Sequence, residues 1–122
     1  MRVNFPNFKT MIKSIGNSEH YKWGSNCDGW HLLKTETLSV IQEKMPAGTS
    51  EQLHFHTNAQ QLFYILKGTA TFIVDAETLI LKAGESIHME KGRKHRIANH
   101  SEMDLEFLVI SEPKAHGDRT QV

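Results

Sequence analysis

Between Trp30 and Ile110 the chain consists of short segments rich in apolar and β-branched residues, with turn residues between them. Glycine, proline, asparagine and aspartate separate the segments at intervals of about 8–12 residues, a spacing typical of an all-β sandwich or barrel. The pattern predicts nine strands, which are Trp30–Thr35, Leu38–Met45, Gln52–His56, Gln61–Lys67, Ala70–Val74, Thr78–Leu81, Ser86–Met89, His95–Ala98 and Asp104–Ile110.

The N-terminal segment alone shows a helical pattern. Phe8, Met11, Ile12 and Ile15 are spaced i, i+3, i+4 and i+7, with Asn7 available as an N-cap and Gly16 as a stop. The same residues would also suit an arm that lies across a neighbouring chain. We therefore predict a short helix or arm followed by an approach loop over residues 1–28, a β-barrel over 29–111 and a polar tail over 112–122.

Length, charge and cysteine content narrow the class of protein. The 122 residues suit one domain, and 14 basic against 14 acidic side chains argue against general nucleic-acid binding. No apolar run approaches the ~18 residues that a membrane-spanning helix needs. The single cysteine, Cys27, cannot form an internal disulfide, so we predict a reducing, cytoplasmic location. Histidine stands out, with 8 residues.

Two of these histidines lie two positions apart on a predicted strand. Side chains alternate between the faces of a strand, so His54 and His56 point the same way, and a metal ion could bind between them. A His-x-His pair alone leaves the presence of a metal open.

Two longer patterns surround the histidines. In the first pattern, Gly48 is followed after five residues by the pair His54-x-His56, after four more by Gln61 and after six more by Gly68. In the second, Gly84 is followed after five residues by Glu90-x-Gly92, after two more by His95 and after three more by Asn99. Both patterns resemble the two motifs of the cupin superfamily over about half of the chain, with every spacing in agreement.

The resemblance implies a double-stranded β-helix, or jelly-roll barrel, with a metal site inside it. Carried over by position, it implies that His54, His56, Gln61 and His95 hold one divalent transition metal: iron, nickel, copper, zinc or manganese. Two positions depart from the family pattern, since Glu90 stands where proline is usual and Gln61 where a glutamate ligand is usual. A neutral amide leaves the charge of the ion uncompensated, which lowers the affinity for hard ions such as manganese.

Three alternatives to this ligand set remain open. Gln60 could replace Gln61, although only Gln61 leaves six residues before Gly68. Gln61 could instead be a surface amide beside a site of three histidines. The histidines could also pack in the barrel without any metal.

Strand alternation predicts the walls of the pocket. The inward side chains are expected to be Phe63, Ile65, Ile97, Leu105, Phe107 and Val109. This predicts an apolar, partly aromatic cavity with few charges, where Arg93 and Arg96 near the mouth are the obvious partners for an anion. We see no suitable pair of acids for catalysis, and we interpret the basic run over 91–96 as solvated charge in a loop.

These observations favour a metal-dependent oxidoreductase, dioxygenase-like, that acts on a small organic substrate. Two alternatives are a non-catalytic protein that uses its metal to bind a small molecule and an isomerase- or epimerase-type cupin. Gln61 in place of the acidic ligand favours the binding protein, because it removes an obvious general base for isomerase chemistry. A structural domain without a metal is a third. The apolar residues of the segment Met1–Ile15 have no place in a minimal barrel, and they predict a homodimer.

Overall fold

The computed structural model describes residues 4, 5 and 7–122. It contains one helical turn and two antiparallel β-sheets. The elements are α1 (Phe8–Met11), β1 (Glu19–Trp23), β2 (Cys27–Lys34), β3 (Ser39–Met45), β4 (His54–His56), β5 (Gln60–Lys67), β6 (Thr69–Val74), β7 (Glu77–Lys82), β8 (Ser86–Met89), β9 (His95–Ala98), β10 (Leu105–Glu112) and β11 (Arg119–Gln121).

The two sheets form the double-stranded β-helix that the sequence predicted. One sheet has the strand order β1-β2-β3-β10-β5-β8, and the other has the order β11-β4-β9-β6-β7. Each of the nine predicted strands has a counterpart in these sheets. No helix in the described part of the chain is long and apolar enough to cross a membrane.

The core lies between the sheets and contains the residues that strand alternation placed inward. Phe63, Ile65, Ile97, Leu105, Phe107 and Val109 are all buried. Gly68 begins the turn into β6 with a φ of 88°, a conformation that side chains disfavour. A Cβ at Gly68 would also lie 2.6 Å from the carbonyl oxygen of Asp104, so this motif position requires glycine.

The prediction of an approach loop before residue 29 is wrong for most of that segment. Glu19–Trp23 and Cys27–Lys34 form a hairpin, with Tyr21 opposite Gly29 and Trp23 opposite Cys27. Gly24 and Asn26 adopt positive φ angles in its turn, a conformation that these two residue types tolerate. The sequence prediction therefore missed β1 and the first three residues of β2, while its predicted strand Trp30–Thr35 covers the rest of β2.

The predicted C-terminal tail also contains a strand. Arg119–Gln121 forms β11, which pairs with β4 and places Arg119 opposite His56 and Gln121 opposite His54. The segment is short and polar, so its own sequence gives no strand signal. The partner strand supplies the hydrogen bonds that order it.

The N-terminal helix is shorter than predicted. It spans Phe8–Met11, and the side chain of Asn7 accepts a hydrogen bond from Lys9 N as the predicted cap. Its residues are exposed, and so are Ile12 and Ile15 beyond it. A helix of one turn gains little without a surface to pack against. Residues 1–3 and 6 of the predicted arm lie outside the described residues.

Candidate metal centre

Three histidines meet at the inner face of the five-stranded sheet. His54 and His56 lie on β4 and His95 on the adjacent β9, where it stands opposite His54. One ring nitrogen from each histidine lies within 4.8 Å of the others. All three side chains are buried, which is unusual for polar groups without a common partner. The structure thus brings together all three predicted histidines.

The backbone orients each imidazole in the same way. Nδ1 of His54 lies 2.9 Å from the carbonyl oxygen of Gln52, and Nδ1 of His95 lies 2.8 Å from that of Arg93. Nδ1 of His56 lies 3.2 Å from the carbonyl oxygen of Asp118. A carbonyl can only accept, so Nδ1 carries the proton and Nε2 keeps its lone pair. This is the tautomer in which three Nε2 atoms can bind a metal.

Burial keeps these histidines in the neutral form. It lowers the pKa of His54 to about 3, and it lowers the pKa of His56 and of His95. Repulsion between a protonated His54 and its neighbours His95, Arg119 and His56 lowers the pKa of His54 further. A metal competes with protons for imidazole nitrogen, so a low pKa leaves the ligands available near neutral pH.

Gln61 lies in the same cavity, on β5. Its Nε2 donates a hydrogen bond to Ser111 Oγ at 3.1 Å, and its Oε1 is buried without a partner among the described residues. Nε2 of His95 is likewise buried and unpartnered. Buried polar atoms are nearly always hydrogen-bonded, so these two unpartnered acceptors suit a bound cation. Gln60 is exposed and bonds to His88 and Glu112 instead, which disfavours it as the alternative ligand.

The cavity above these groups has a volume of about 1020 Å³. Its wall contains Phe63, Ile97, Phe107 and Val109, as predicted. The other two predicted wall residues, Ile65 and Leu105, are buried in the core and do not line the cavity. The prediction of few charges is wrong. The charged and titratable residues that also line it are Glu19, Tyr21, His31, Lys34, Glu36, Glu43, Glu51, Lys114, His116 and Arg119.

The predicted anion partners lie elsewhere. Arg93 is exposed and pairs with Asp75 and Glu90, and neither Arg93 nor Arg96 lines the cavity. Arg119 takes a place in the wall, because the pairing of β11 with β4 brings it beside Glu51, with Nη1 3.6 Å from Oε2. The prediction failed because it treated the C-terminal segment as a tail.

Two glutamates in the wall contradict the prediction that no suitable acid pair exists. Glu51 Oε1 accepts a hydrogen bond from Ile97 N at 3.1 Å, and burial raises the pKa of Glu51 to about 7. Burial, followed by the charge of Glu51, raises the pKa of Glu43 to about 8. Strand alternation could have found Glu43, since it shares a face of β3 with the buried Met45. No comparable sequence signal exists for Glu51, which precedes β4 in a loop.

Asp118 anchors the C-terminal segment beside the histidines. Its carboxylate accepts hydrogen bonds from the backbone N–H groups of Thr57 at 3.1 Å and of Asn58 and Ala59 at 2.9 Å each. Its own carbonyl oxygen faces Nδ1 of His56. One residue therefore holds both the His56 ring and the turn that follows it.

Comparisons with known proteins identify the family of this chain. A family model described as a cupin domain matches residues 41–111, more than half of the chain. An oxalate-binding protein of Thermotoga maritima is 33% identical over 85 residues, which cover 66% of this chain and 70% of that protein.

Two solved structures share the fold. A predicted oxalate decarboxylase from Thermotoga maritima superposes with a TM-score of 0.78 and 24% identity, over 84% of this chain and 99% of that one. A sugar phosphate isomerase of the cupin superfamily from Silicibacter pomeroyi superposes with a TM-score of 0.71 and 17% identity, over 83% of this chain and 74% of that one. At these identities the likeness is one of fold.

Proposed function

Because this chain belongs to the cupin family, we propose that it binds one divalent transition metal and uses it to hold a small organic anion. The ligands are the Nε2 atoms of His54, His56 and His95, with Gln61 Oε1 as the fourth. The observation that carries the proposal is the common orientation of the three imidazoles, whose Nδ1 atoms all face backbone carbonyls.

The charge of the ligand set favours an anion as the bound molecule. Three neutral imidazoles and one amide contribute no negative charge, so the two positive charges of a divalent ion stay uncompensated. The bound ion would supply a Lewis-acidic anchor for anionic oxygens and, if redox-active, a path for electrons. Each lysine and arginine of the cavity pairs with an acid, Lys34 with Glu19, Lys114 with Glu36 and Arg119 with Glu51. This leaves the metal as the strongest anion attractant.

Oxalate is the probe that the comparisons suggest, because a relative of 33% identity is an oxalate-binding protein. A small carboxylate would fit well within a cavity of about 1020 Å³. The apolar inner wall and the charged outer wall together suit a compact molecule with an anionic end.

Elemental analysis of untagged protein tests the metal site, with a His54→Ala/His56→Ala double variant as the control. We expect about one metal ion per chain, lost in the double variant. Calorimetric titration of the metal-loaded protein with oxalate then tests the ligand class. Absence of metal from the purified wild type, after reconstitution with nickel, zinc, iron, copper and manganese in turn, would contradict the proposal.

A dioxygenase-like oxidoreductase is the second candidate. Its supporting observation is the group of aromatic and aliphatic residues in the cavity wall, which suits an apolar substrate. The ring of Phe63 lies 5.9 Å from that of His95. Consumption of oxygen by the iron, copper or nickel form, with a panel of diketones, thiols and polyphenols, would support it.

The cavity also contains candidate general bases for an isomerase or epimerase, since Glu43 and Glu51 line it. The lack of a general base therefore no longer argues against these activities.

A homodimer remains part of the proposal. Phe8 is 85% exposed and Ile12 is 72% exposed, so the segment offers apolar surface that nothing in the described chain covers. Sedimentation of the wild type against a Phe8→Ser/Ile12→Ser variant tests this prediction, and a monomeric mass for the wild type would refute it.

The cytoplasmic location also stays a prediction. It was based on the single cysteine, Cys27, which is a buried free thiol in the structure.

A further inference from the structure

Three residues on neighbouring strands form a row across the six-stranded sheet, and the last of them, Glu43, lines the cavity. Tyr21 on β1 stands opposite Gly29 on β2, and Gly29 stands opposite Glu43 on β3. The Tyr21 ring occupies the space above Gly29, where a Cβ would overlap it. Its hydroxyl thereby reaches across one strand and lies 3.5 Å from Glu43 Oε1. Any other residue at position 29 would displace the ring.

No cation neutralises the carboxyl of Glu43 among the described residues, where the Tyr21 hydroxyl is the partner within hydrogen-bonding distance. The titratable groups that face it are Tyr21 from β1, Cys27 from β2, Glu51 from the loop before β4 and Arg119 from β11. The residue opposite it on β10 is the apolar Phe107. A carboxylate in this position would be desolvated and would face a second carboxylate.

We propose that Glu43 is a specificity-determining residue of the cavity, whose carboxyl group donates a hydrogen bond to an anionic oxygen of the metal-held ligand. Tyr21 acts as a positioning residue, since its ring and hydroxyl hold that carboxyl in place across Gly29. The inference rests on the proposed function, because it assumes that an anion binds in the cavity.

The electrostatics of the site agree with this role. In the metal-free protein, burial, with the charge of Glu51 second, raises the pKa of Glu43 to about 8, which favours the protonated acid at neutral pH. A neutral carboxylic acid can donate a hydrogen bond to an anion, whereas a carboxylate would repel it. Glu51 contacts the histidine site through His54 and pairs with Arg119, so the same role does not fall to it.

Four proteins loaded with nickel test the inference by titration with oxalate. They are the wild type, Glu43→Gln, Glu43→Leu and the control Glu77→Gln. The glutamine keeps a neutral N–H donor at position 43 and cannot ionise, whereas leucine removes the donor. Glu77 is exposed on β7 and does not line the cavity, so its substitution removes a carboxyl group without changing the cavity wall. The metal content of every sample is measured before and after titration, since free oxalate competes for metal.

We expect wild-type affinity to fall at least about tenfold between about pH 6.5 and about pH 9.5, as Glu43 loses its proton and its donated hydrogen bond. Glu77→Gln should follow the wild type. Glu43→Gln should lose clearly less affinity for oxalate than the wild type over this range, and Glu43→Leu should bind weakly throughout. Titration of Glu51 and competition by hydroxide affect the wild type and Glu43→Gln alike, so the difference between these two proteins reports Glu43.

Tyr21→Phe tests the positioning role. The Tyr21 hydroxyl donates to the ionised form of Glu43, so its removal should shift the midpoint of the wild-type pH profile upward. An unchanged midpoint would refute that role.

Two results would overturn the proposal for Glu43 while the proposed function stands: a Glu43→Gln profile that falls like the wild type, or wild-type affinity in Glu43→Leu. Failure of the metal-loaded wild type to bind oxalate at either pH would overturn both this inference and the choice of ligand. A wild type that takes up no metal would overturn the proposed function itself and the inference with it.

Discussion

Replacement of Gln61 by glutamate tests the least conventional part of the proposed metal centre. The Gln61→Glu substitution keeps the length of the side chain and exchanges a neutral oxygen donor for a charged one. Gln61 is only 7% exposed, and its Oε1 has no partner among the described residues. A carboxylate there would face the same cavity as His54 and His56.

The magnitude follows from two opposing effects. At an effective dielectric of about 20, one unit charge attracts another by about 4 kcal/mol at a separation of 4 Å, and a divalent ion doubles this. Burial of the carboxylate costs several kcal/mol, which the hydroxyl of Ser111 offsets in part by donating a hydrogen bond to it. We therefore expect manganese and iron affinity to rise by about tenfold to hundredfold, the range by which a ligand environment is commonly tuned.

The metal-free protein should respond in the opposite direction. Without the ion, the new carboxylate is buried without a cation, so the free energy of unfolding should fall by about 1–3 kcal/mol. Gln60→Glu is the matched control, because Gln60 is the adjacent residue and its side chain is exposed. It should leave the metal affinity unchanged, and the repulsion between its exposed carboxylate and Glu112 should lower the free energy of unfolding by no more than about 1 kcal/mol.

Competition with a fluorescent chelator measures the metal affinity, and urea unfolding with and without metal measures the stability. If Gln61→Glu binds manganese no more tightly than Gln60→Glu, Gln61 does not coordinate the metal. The site would then be one of three histidines beside an amide, which was the alternative left open by the sequence.

Three further predictions concern the surroundings of the site. Asp118→Ala should weaken nickel binding by about tenfold in calorimetry, since the segment that orients His56 loses its anchor; Asp104→Ala, which removes a surface ion pair with Lys44, should not. Because folding raises the pKa of Glu43 from 4.5 to about 8, the native state holds this proton more tightly than the unfolded state. Wild-type stability should therefore fall as pH rises from about 4.5 to 8, by about 1–3 kcal/mol more than in Glu43→Gln; parallel urea-unfolding curves would contradict this. Gly68→Ala should lose about 2–4 kcal/mol in urea unfolding, through its positive φ and the clash with Asp104, and a loss below 1 kcal/mol would refute the steric argument.

The sequence alone predicted the barrel and the core of the site because both depend on local patterns. Alternation placed Phe63, Phe107 and Val109 inward, and all three are buried. The resemblance of the two motifs to the cupin pattern implied that His54, His56 and His95 meet in one barrel, and their ring nitrogens do converge. Such patterns survive in sequence because each strand must bury one face, whatever its neighbours are.

The tertiary structure decided the features that depend on a partner far along the chain. Arg119–Gln121 becomes a strand only because β4 offers it hydrogen bonds, and it then supplies the Asp118 anchor and the Arg119 charge. Tyr21 meets Glu43 only because two hairpin strands align across Gly29. The acidity of Glu43 depends on how deeply the folded chain buries it and on the charge of Glu51 nearby. Burial and distance in space are properties of the whole fold, so no local pattern in the sequence encodes them.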